Sequence, residues 1–336
     1  MPASVPPPLR YLSAADVTAA MPPLAERVAL AERTMTALAG DAELPPKIGV
    51  HPRPDASFAH AMPAHLRGAD GAGAEDLVGM KWIAGFPTNG MLGLTAIHGL
   101  VVLNDPQTGI PMAILDAGPI TAERTAAISG VAIAQFSPTV TSRPVRVALL
   151  GAGVQARSHL VVLGHVLPGL ELVVFDRHPD RAVSVAERAR TTPGIASASV
   201  ATIAREATRS ADVVITVASF APAAKRQTLT AEWLAADALV VAVDYATYVN
   251  AAVARAAALF IVDERGQFLA NRDAGQFDQY PDPSATLGEA IRAGTARPAT
   301  GRVLVTHLGV GLADLVFGDA ILRRAEAAGL GTILPG

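Results

Sequence analysis

The chain has no cysteine. That excludes a disulfide framework, a thiolate metal site and a cysteine nucleophile, and it is compatible with the cytoplasm. Aromatic residues make up only 4% of the chain, so composition does not announce a large stacking pocket. Long runs of one charge are also missing. The net charge is −3 and no extended basic stretch occurs, which argues against nucleic-acid binding. No apolar stretch of about 18 residues escapes interruption by charge, Gly or Pro, so no membrane span is expected. The first residues contain no apolar h-region and no cleavage pattern, and Pro2 to Pro8 read as a loose extended arm. A cytoplasmic location is the expectation. No His or carboxylate pair has ligand spacing with a third partner, so no metal is expected. What remains is a globular chain, 51% hydrophobic, whose 336 residues suffice for two buried cores.

The most informative segment is VALLGAGVQARSHLVVLGHVLPGLELVVFD, residues 147–176. An apolar β-type run leads into Gly151, Gly153 and Ala156, a Gly-x-Gly-x-x-Ala turn. A helical stretch and a second apolar strand follow, ending on Asp176. Gly151 permits a tight strand-to-helix turn, Gly153 leaves room for a pyrophosphate, and Ala156 lets the helix approach the sheet. Val154 and Gln155 open the helix, whose free N–H groups and positive dipole suit phosphate. Asp176, about 20 residues beyond the turn, is placed to accept hydrogen bonds from a ribose. This combination points to a dinucleotide. The Asp176 carboxylate favours NAD(H), because it repels a 2′-phosphate; Arg177 beside it is the feature that would instead admit NADP(H).

Around this segment, hydrophobic periodicity organises the chain. Ser13 caps a helical region over 13–40 that Pro22 and Pro23 divide in two. Residues 45–63 are Pro-rich with short extended pieces, and 80–103 alternate strand-like runs with turns. Residues 98–116 read as a hairpin around the Asp105–Gly109 turn. Thr121 to Phe136 is helical, with Thr121 as the expected cap. From 145 to about 265, strands and helices alternate, which is the pattern of a parallel sheet. Strands are expected near 145–150, 171–176, 212–218, 238–243 and 258–263, with a further one at 303–308 and a final helix over 311–328. The fold class is therefore α/β. A Rossmann-type doubly wound sheet over 126–302 is joined to a β-rich α+β domain over 1–125, on which the C-terminal segment 303–336 is expected to pack.

Two charges stand out beyond the Gly-rich turn. Lys81 sits inside the apolar run MKWIAGFP, where burial is costly without a partner or a purpose. Arg124 opens an apolar helix and can fork onto a carboxylate. With these residues the chain resembles the ornithine cyclodeaminase/mu-crystallin family. The resemblance rests on MPA (62–64), GMKWIAGFPTN (79–89), HGLVVLNDPQTGIPMAILDAGPITAERTAA (98–127), GAGVQARSH (151–159) and GVGLADL (309–315), in order over most of the chain. It implies a homodimer in which the first domain binds substrate and dimerises while the second binds NAD(P). It implies hydride transfer between nicotinamide C4 and the α-carbon of an amino acid or its imine. It places Lys81 on the substrate carboxylate and in proton transfer, Arg124 as a clamp on the same carboxylate, and Asp244 facing the amine or imine. An anion there would stabilise a developing iminium.

Three departures from the family pattern matter. Lys47 stands where the family often has arginine, and lysine meets a carboxylate as a point charge without the fork. His60 stands where ornithine cyclodeaminases carry a carboxylate that helps recognise substrate. YATYVN follows Asp244 in place of a PGK-type continuation. Lys47 and His60 are accordingly substrate-side candidates, and ornithine is disfavoured. The expected activity is an NAD(P)H-dependent oxidoreductase that reduces an imine of a 2-oxo acid or a cyclic imino acid, or oxidises the amino acid in reverse. The alternatives are an ornithine or lysine cyclodeaminase with bound NAD, and a mu-crystallin-like NADP(H)-binding protein.

Overall fold

The computed structural model describes residues 8–53, 57–68, 73 and 75–335. Pro2 to Pro7, the bulk of the extended arm, lie outside them. The chain divides into two compact units, 1–124 with 310–336, and 125–309.

The first unit contains β1 (Leu9–Leu12), α1 (Ala14–Ala19), α2 (Leu24–Leu38), β2 (Ala42–Glu43), β3 (Ile48–Val50), β4 (Phe58–Leu66), β5 (Leu77–Gly85), β6 (Ile97–Asn104) and β7 (Pro111–Asp116). The helix α3 (Ala117–Phe136) begins in this unit and ends in the second. Ser13 caps α1 in a reciprocal box with Asp16, and the Pro22–Pro23 pair separates α1 from α2 as expected. The β6–β7 hairpin turns at Asp105, whose Oδ1 accepts from the Gln107 and Thr108 amides and the Thr108 hydroxyl. α3 starts at Ala117, so Thr121 lies inside the helix and is not its cap. The Asp116 carboxylate accepts from Gly118 N instead.

The second unit continues with β8 (Arg146–Leu150), α4 (Val154–Val166), β9 (Leu170–Phe175), α5 (Pro179–Arg190), β10 (Ile195–Val200), α6 (Ala204–Thr208), β11 (Val213–Thr216), β12 (Leu239–Ala242), α7 (Ala251–Arg255), β13 (Leu259–Val262), α8 (Arg265–Asp273), β14 (Ala285–Thr286), α9 (Leu287–Arg292) and β15 (Val303–Thr306). Its strands are parallel in the order β10-β9-β8-β11-β12-β15-β13-β14. The order reverses direction at β8 and β11, the switch point where doubly wound sheets bind ligands. The residues of β11, β12 and β15 are all buried, which explains their unbroken apolar runs. Strand β10, sequence IASASV, was not expected: small and hydroxyl residues at a sheet edge carry no apolar pattern. β15 pairs with β12 and β13, so residues 303–309 belong to this unit and not to the C-terminal segment.

The chain then returns to the first unit through α10 (Gly311–Ala327) and β16 (Thr332–Leu334). The first sheet runs β16-β1-β7-β6-β5-β4-β2, with β3 also on β4. α10 packs on β4, β5 and β6. Gly311 permits this approach, since a Cβ there would lie 2.5 Å from the Met62 carbonyl oxygen. Met62 is the register partner of Lys81. The first turn of α10 is thereby lowered onto the centre of β5.

Candidate functional site

In the second unit, the strand-to-helix turn after β8 has the form that a dinucleotide requires. Gly151 adopts φ +112°, and a Cβ on it would meet the Val217 backbone at 2.8 Å. No other residue fits there without strain. Gly153 is the N-cap of α4 and offers no side-chain cap, so the first amides of the helix stay available. A Cβ on Gly153 would meet nothing within 4 Å; it would project into open space. Val154 is exposed at the helix start, Gln155 is half-buried, and Ala156 is fully buried. Asp176 follows β9 and joins the turn directly: its Oδ2 accepts from Ala152 N and its Oδ1 from His178 N, both at 2.8 Å. Arg177 is exposed, with Nε 3.2 Å from His178 Nε2. The free helix amides, the open space at Gly153 and the acid beside the turn fit a nicotinamide dinucleotide.

Asp244 follows β12, one strand beyond the switch point. It is buried; the Thr216 hydroxyl donates to Oδ1 (2.7 Å) and Ala218 N to Oδ2 (3.2 Å). Burial pushes its carboxyl up to about 7, against the lowering effect of those two hydrogen bonds. Tyr245, next in the chain, takes a left-handed φ of 58° and stacks on Phe277 while Phe220 meets its edge. The YATYVN segment thus forms an aromatic support for the turn that carries Asp244. Tyr248 was not anticipated. Burial raises its hydroxyl to about 12, and the charges of Asp244 and Asp176 push in the same direction.

In the first unit, β5, α3 and α10 bring together Lys81, Arg124 and Asp314. Lys81 Nζ lies 2.7 Å from Oδ2 of Asp314, and Arg124 Nε donates to Oδ1 at 3.1 Å. All three are buried; Lys81 is 1% exposed, which settles that it is not a surface lysine reaching for water. Burial and then the Arg124 guanidinium hold the Lys81 ammonium down to about 7, while Asp314 pulls it back up. Arg124 Nη1 is buried and has no hydrogen-bond partner among the described residues. Two cations share one carboxylate, and one donor is left over. That arrangement suits an anionic ligand. Asp314 carries no distinctive signal in the sequence although it lies in the GVGLADL segment; an acid in the first turn of a helix is ordinarily a complement to the helix dipole.

His60 lies on the same sheet face as Lys81, since His60 pairs with Ile83 and Met62 with Lys81. Its ring stacks on Phe58 and covers Gly49, where a Cβ would be 2.3 Å from the ring. Burial, followed by the charges of Lys47, His51 and Lys81, lowers the imidazole to about 4. The structure therefore brings Lys47 and His60 into the electrostatic neighbourhood of Lys81, with the imidazole neutral at pH 7. Among the described residues no group of three or more His, Asp or Glu is arranged to hold a metal.

The doubly wound unit and its glycine turn define a Rossmann-type dinucleotide-binding protein, to which the other unit adds a buried cationic site. Residues 13–314 match the model of the ornithine cyclodeaminase/mu-crystallin family, and the chain belongs to that family. It is 35% identical over 334 residues to the nodulation efficiency protein NfeD of Rhizobium meliloti, covering 97% of this chain and 98% of that protein. Among solved structures it is similar to the Delta(1)-pyrroline-2-carboxylate reductase of Thermococcus litoralis in complex with NADH and L-proline. The TM-score is 0.81 at 25% identity, over 96% of this chain and 99% of that one. It is also similar to a lysine cyclodeaminase structure that addresses recognition of L-lysine, L-ornithine and L-2,4-diaminobutyric acid, with TM-score 0.82 at 25% identity, over 98% and 96% of the two chains.

Proposed function

We propose that this protein is an NAD(P)H-dependent oxidoreductase of C–N bonds that reduces the imine of a 2-oxo acid or a cyclic imino acid, or runs the reverse amino-acid oxidation. The observation that carries this reading is the buried Lys81–Asp314–Arg124 cluster, with its excess positive charge and the unpartnered Nη1 of Arg124. A substrate carboxylate supplies the missing anion and the missing acceptor. Lys47 adds a further cation to that neighbourhood. The family's reductases and the NADH and L-proline bound in the Thermococcus litoralis enzyme support the same assignment.

NAD(P)H, when bound, supplies the hydride. The Gly151–Ala156 turn would hold its pyrophosphate, Gly151 and Gly153 giving room, Val154 and Gln155 opening the helix toward it and Ala156 keeping that helix close to the sheet; Asp176 would select NADH through the ribose, with Arg177 as the group that would admit NADPH. Lys81 and Arg124 fix the substrate by its carboxylate. The Lys81 ammonium, held near neutrality, is suited to hand a proton to the nitrogen side of the substrate. Asp244 in its ionised form would stabilise the iminium that protonation of the imine creates, and the same iminium as it forms in the reverse oxidation. His60 is a neutral ring, stacked on Phe58, in the neighbourhood of Lys81. It leaves a second amino group of an ornithine-like substrate without a counter-ion.

The protein acts as a homodimer in this reading. Trp82 and Leu100 are cross-strand partners on the sheet face opposite Lys81, and both are exposed, as is Ile48 on β3, which shares that face because it pairs with Ala61, the partner of Trp82. Apolar side chains grouped on one face suit a second copy of the chain. A reaction that draws on free NAD(P)H fits the cytoplasm; among the described residues no helix is long and apolar enough to cross a membrane.

The test follows the absorbance of NADH and NADPH separately. The protein is supplied with 2-oxo acids plus ammonia or methylamine, and with cyclic imino acids. Substrate-dependent consumption of either cofactor is expected, and Lys81→Ala should lower kcat/KM by about 100-fold or more with dinucleotide affinity unchanged. Ammonia release from L-lysine or L-ornithine at constant NAD would replace this reading with the cyclodeaminase one, which the likeness to the lysine cyclodeaminase structure keeps in view.

A further inference from the structure

We propose that Asp314 is the positioning residue of the substrate site: through its Oδ2 it holds the Lys81 ammonium charged and aimed, while Arg124 Nε fixes its other oxygen. The role rests on reading Lys81 as the substrate-facing group. Three observations lead to it. Both carboxylate oxygens face a cation, Oδ2 the Lys81 ammonium in an ion pair at 2.7 Å and Oδ1 the Arg124 Nε in a hydrogen bond at 3.1 Å. Asp314 itself is fully buried, so neither contact is screened by solvent. Its approach is built into the backbone, because α10 comes down on β4 at Gly311, where no Cβ fits, three residues before Asp314.

Burial, Arg124 and Lys47 all disfavour a charged Lys81, and Asp314 favours it. His60, the other titratable neighbour, is neutral at pH 7 and contributes no charge to offset them. Removing one partner of a buried charge pair leaves the other uncompensated, at a cost far above the worth of an exposed pair. Without the Asp314 charge, Lys81 sheds its proton. A neutral amine neither pairs with a carboxylate nor supplies a proton. Asp314 needs no contact with substrate or cofactor to exert this control.

The sequence has only three lysines, Lys47, Lys81 and Lys225, which makes the test direct. Full-length protein labelled with [6-13C]lysine gives one resonance per lysine, and Lys47→Arg and Lys225→Arg variants identify Lys81 by elimination. Titrations compare the natural protein with Asp314→Asn. Asparagine keeps an oxygen for Arg124 Nε and removes the charge facing Lys81. The Lys81 midpoint is expected to fall by about one pH unit or more. In the same variant, kcat/KM for Δ1-pyrroline-2-carboxylate with NADH should drop about 100-fold at neutral pH and recover partly as pH falls, with NADH affinity within about twofold of the parent.

An unmoved Lys81 midpoint overturns the proposal. So does a loss of equal size at every pH that extends to NADH binding. The NMR titration needs no turnover, so a parent enzyme inactive toward imines would overturn the functional reading while the midpoint still decides the role of Asp314. If Asp314→Asn does not fold, the proposal requires that adding Lys81→Met, which removes the buried amine left without its counter-charge, restores a folded protein. Failure of that rescue overturns it.

Discussion

Asp244→Asn should stabilise the protein at pH 8 and leave its stability almost unchanged near pH 4, while nearly abolishing turnover. Asp244 is buried, and its carboxyl is raised from 3.8 to about 7 in the folded state. Between those values the native state holds a proton that the unfolded state has released. Stability therefore falls as pH rises through this window, and the penalty is complete above about pH 7. The raised value corresponds to roughly 4 kcal/mol. Asparagine carries no such penalty. Its amide N–H can face the Thr216 hydroxyl, which turns to accept, and its carbonyl can accept from Ala218 N, so both contacts survive as neutral hydrogen bonds. Allowing about 1 kcal/mol for the weaker bonds leaves a net gain of about 3 kcal/mol at pH 8. Scanning calorimetry of the cofactor-free protein should show the 125–309 transition raised by roughly 5–10 °C at pH 8, with the difference shrinking steadily toward pH 4. The same substitution should reduce kcat by about 100-fold, because it removes the anion proposed to stabilise the iminium. A stability difference independent of pH, or none at pH 8, would refute the argument that desolvation of this carboxylate opposes folding.

Other expectations follow from the same geometry. Gly153→Val places its side chain where nothing lies within 4 Å, so folding should be preserved, while NADH affinity measured by fluorescence falls about tenfold or more. Asp176→Ser removes the carboxylate beside Arg177. The ratio of kcat/KM for NADPH over NADH should rise by about tenfold or more, and an unchanged ratio would remove Asp176 from cofactor selection. Trp82→Glu puts a charge on the exposed apolar sheet face. Light scattering should show a shift from dimer to monomer, and a stable dimer would move the interface elsewhere.

Much of this molecule was legible in one dimension because its signals are local. Gly151, Gly153, Ala156 and Asp176 act within a single βαβ unit, where backbone φ, helix dipole and strand length impose the spacing. Buried parallel strands announced themselves as unbroken apolar runs, and Pro22–Pro23 and Asp105–Gly109 marked boundaries that the structure keeps. Lys81 and Arg124 were visible as charges in apolar surroundings, though neither one's partner was.

What only the tertiary structure decided are the encounters between distant segments. The Lys81 ammonium meets an acid more than two hundred residues later in the chain because Gly311 lets α10 settle on β4. Asp244 is poised near neutrality because a sheet closes around it, and His60 is neutral because burial disfavours its charged form and Lys47, His51 and Lys81 gather near it. Strand β10 exists because β9 offers it an edge, not because IASASV asks for a strand. Periodicity and turn chemistry belong to neighbours in sequence. Desolvation and charge pairing belong to neighbours in space, and these set the protonation states on which the chemistry depends.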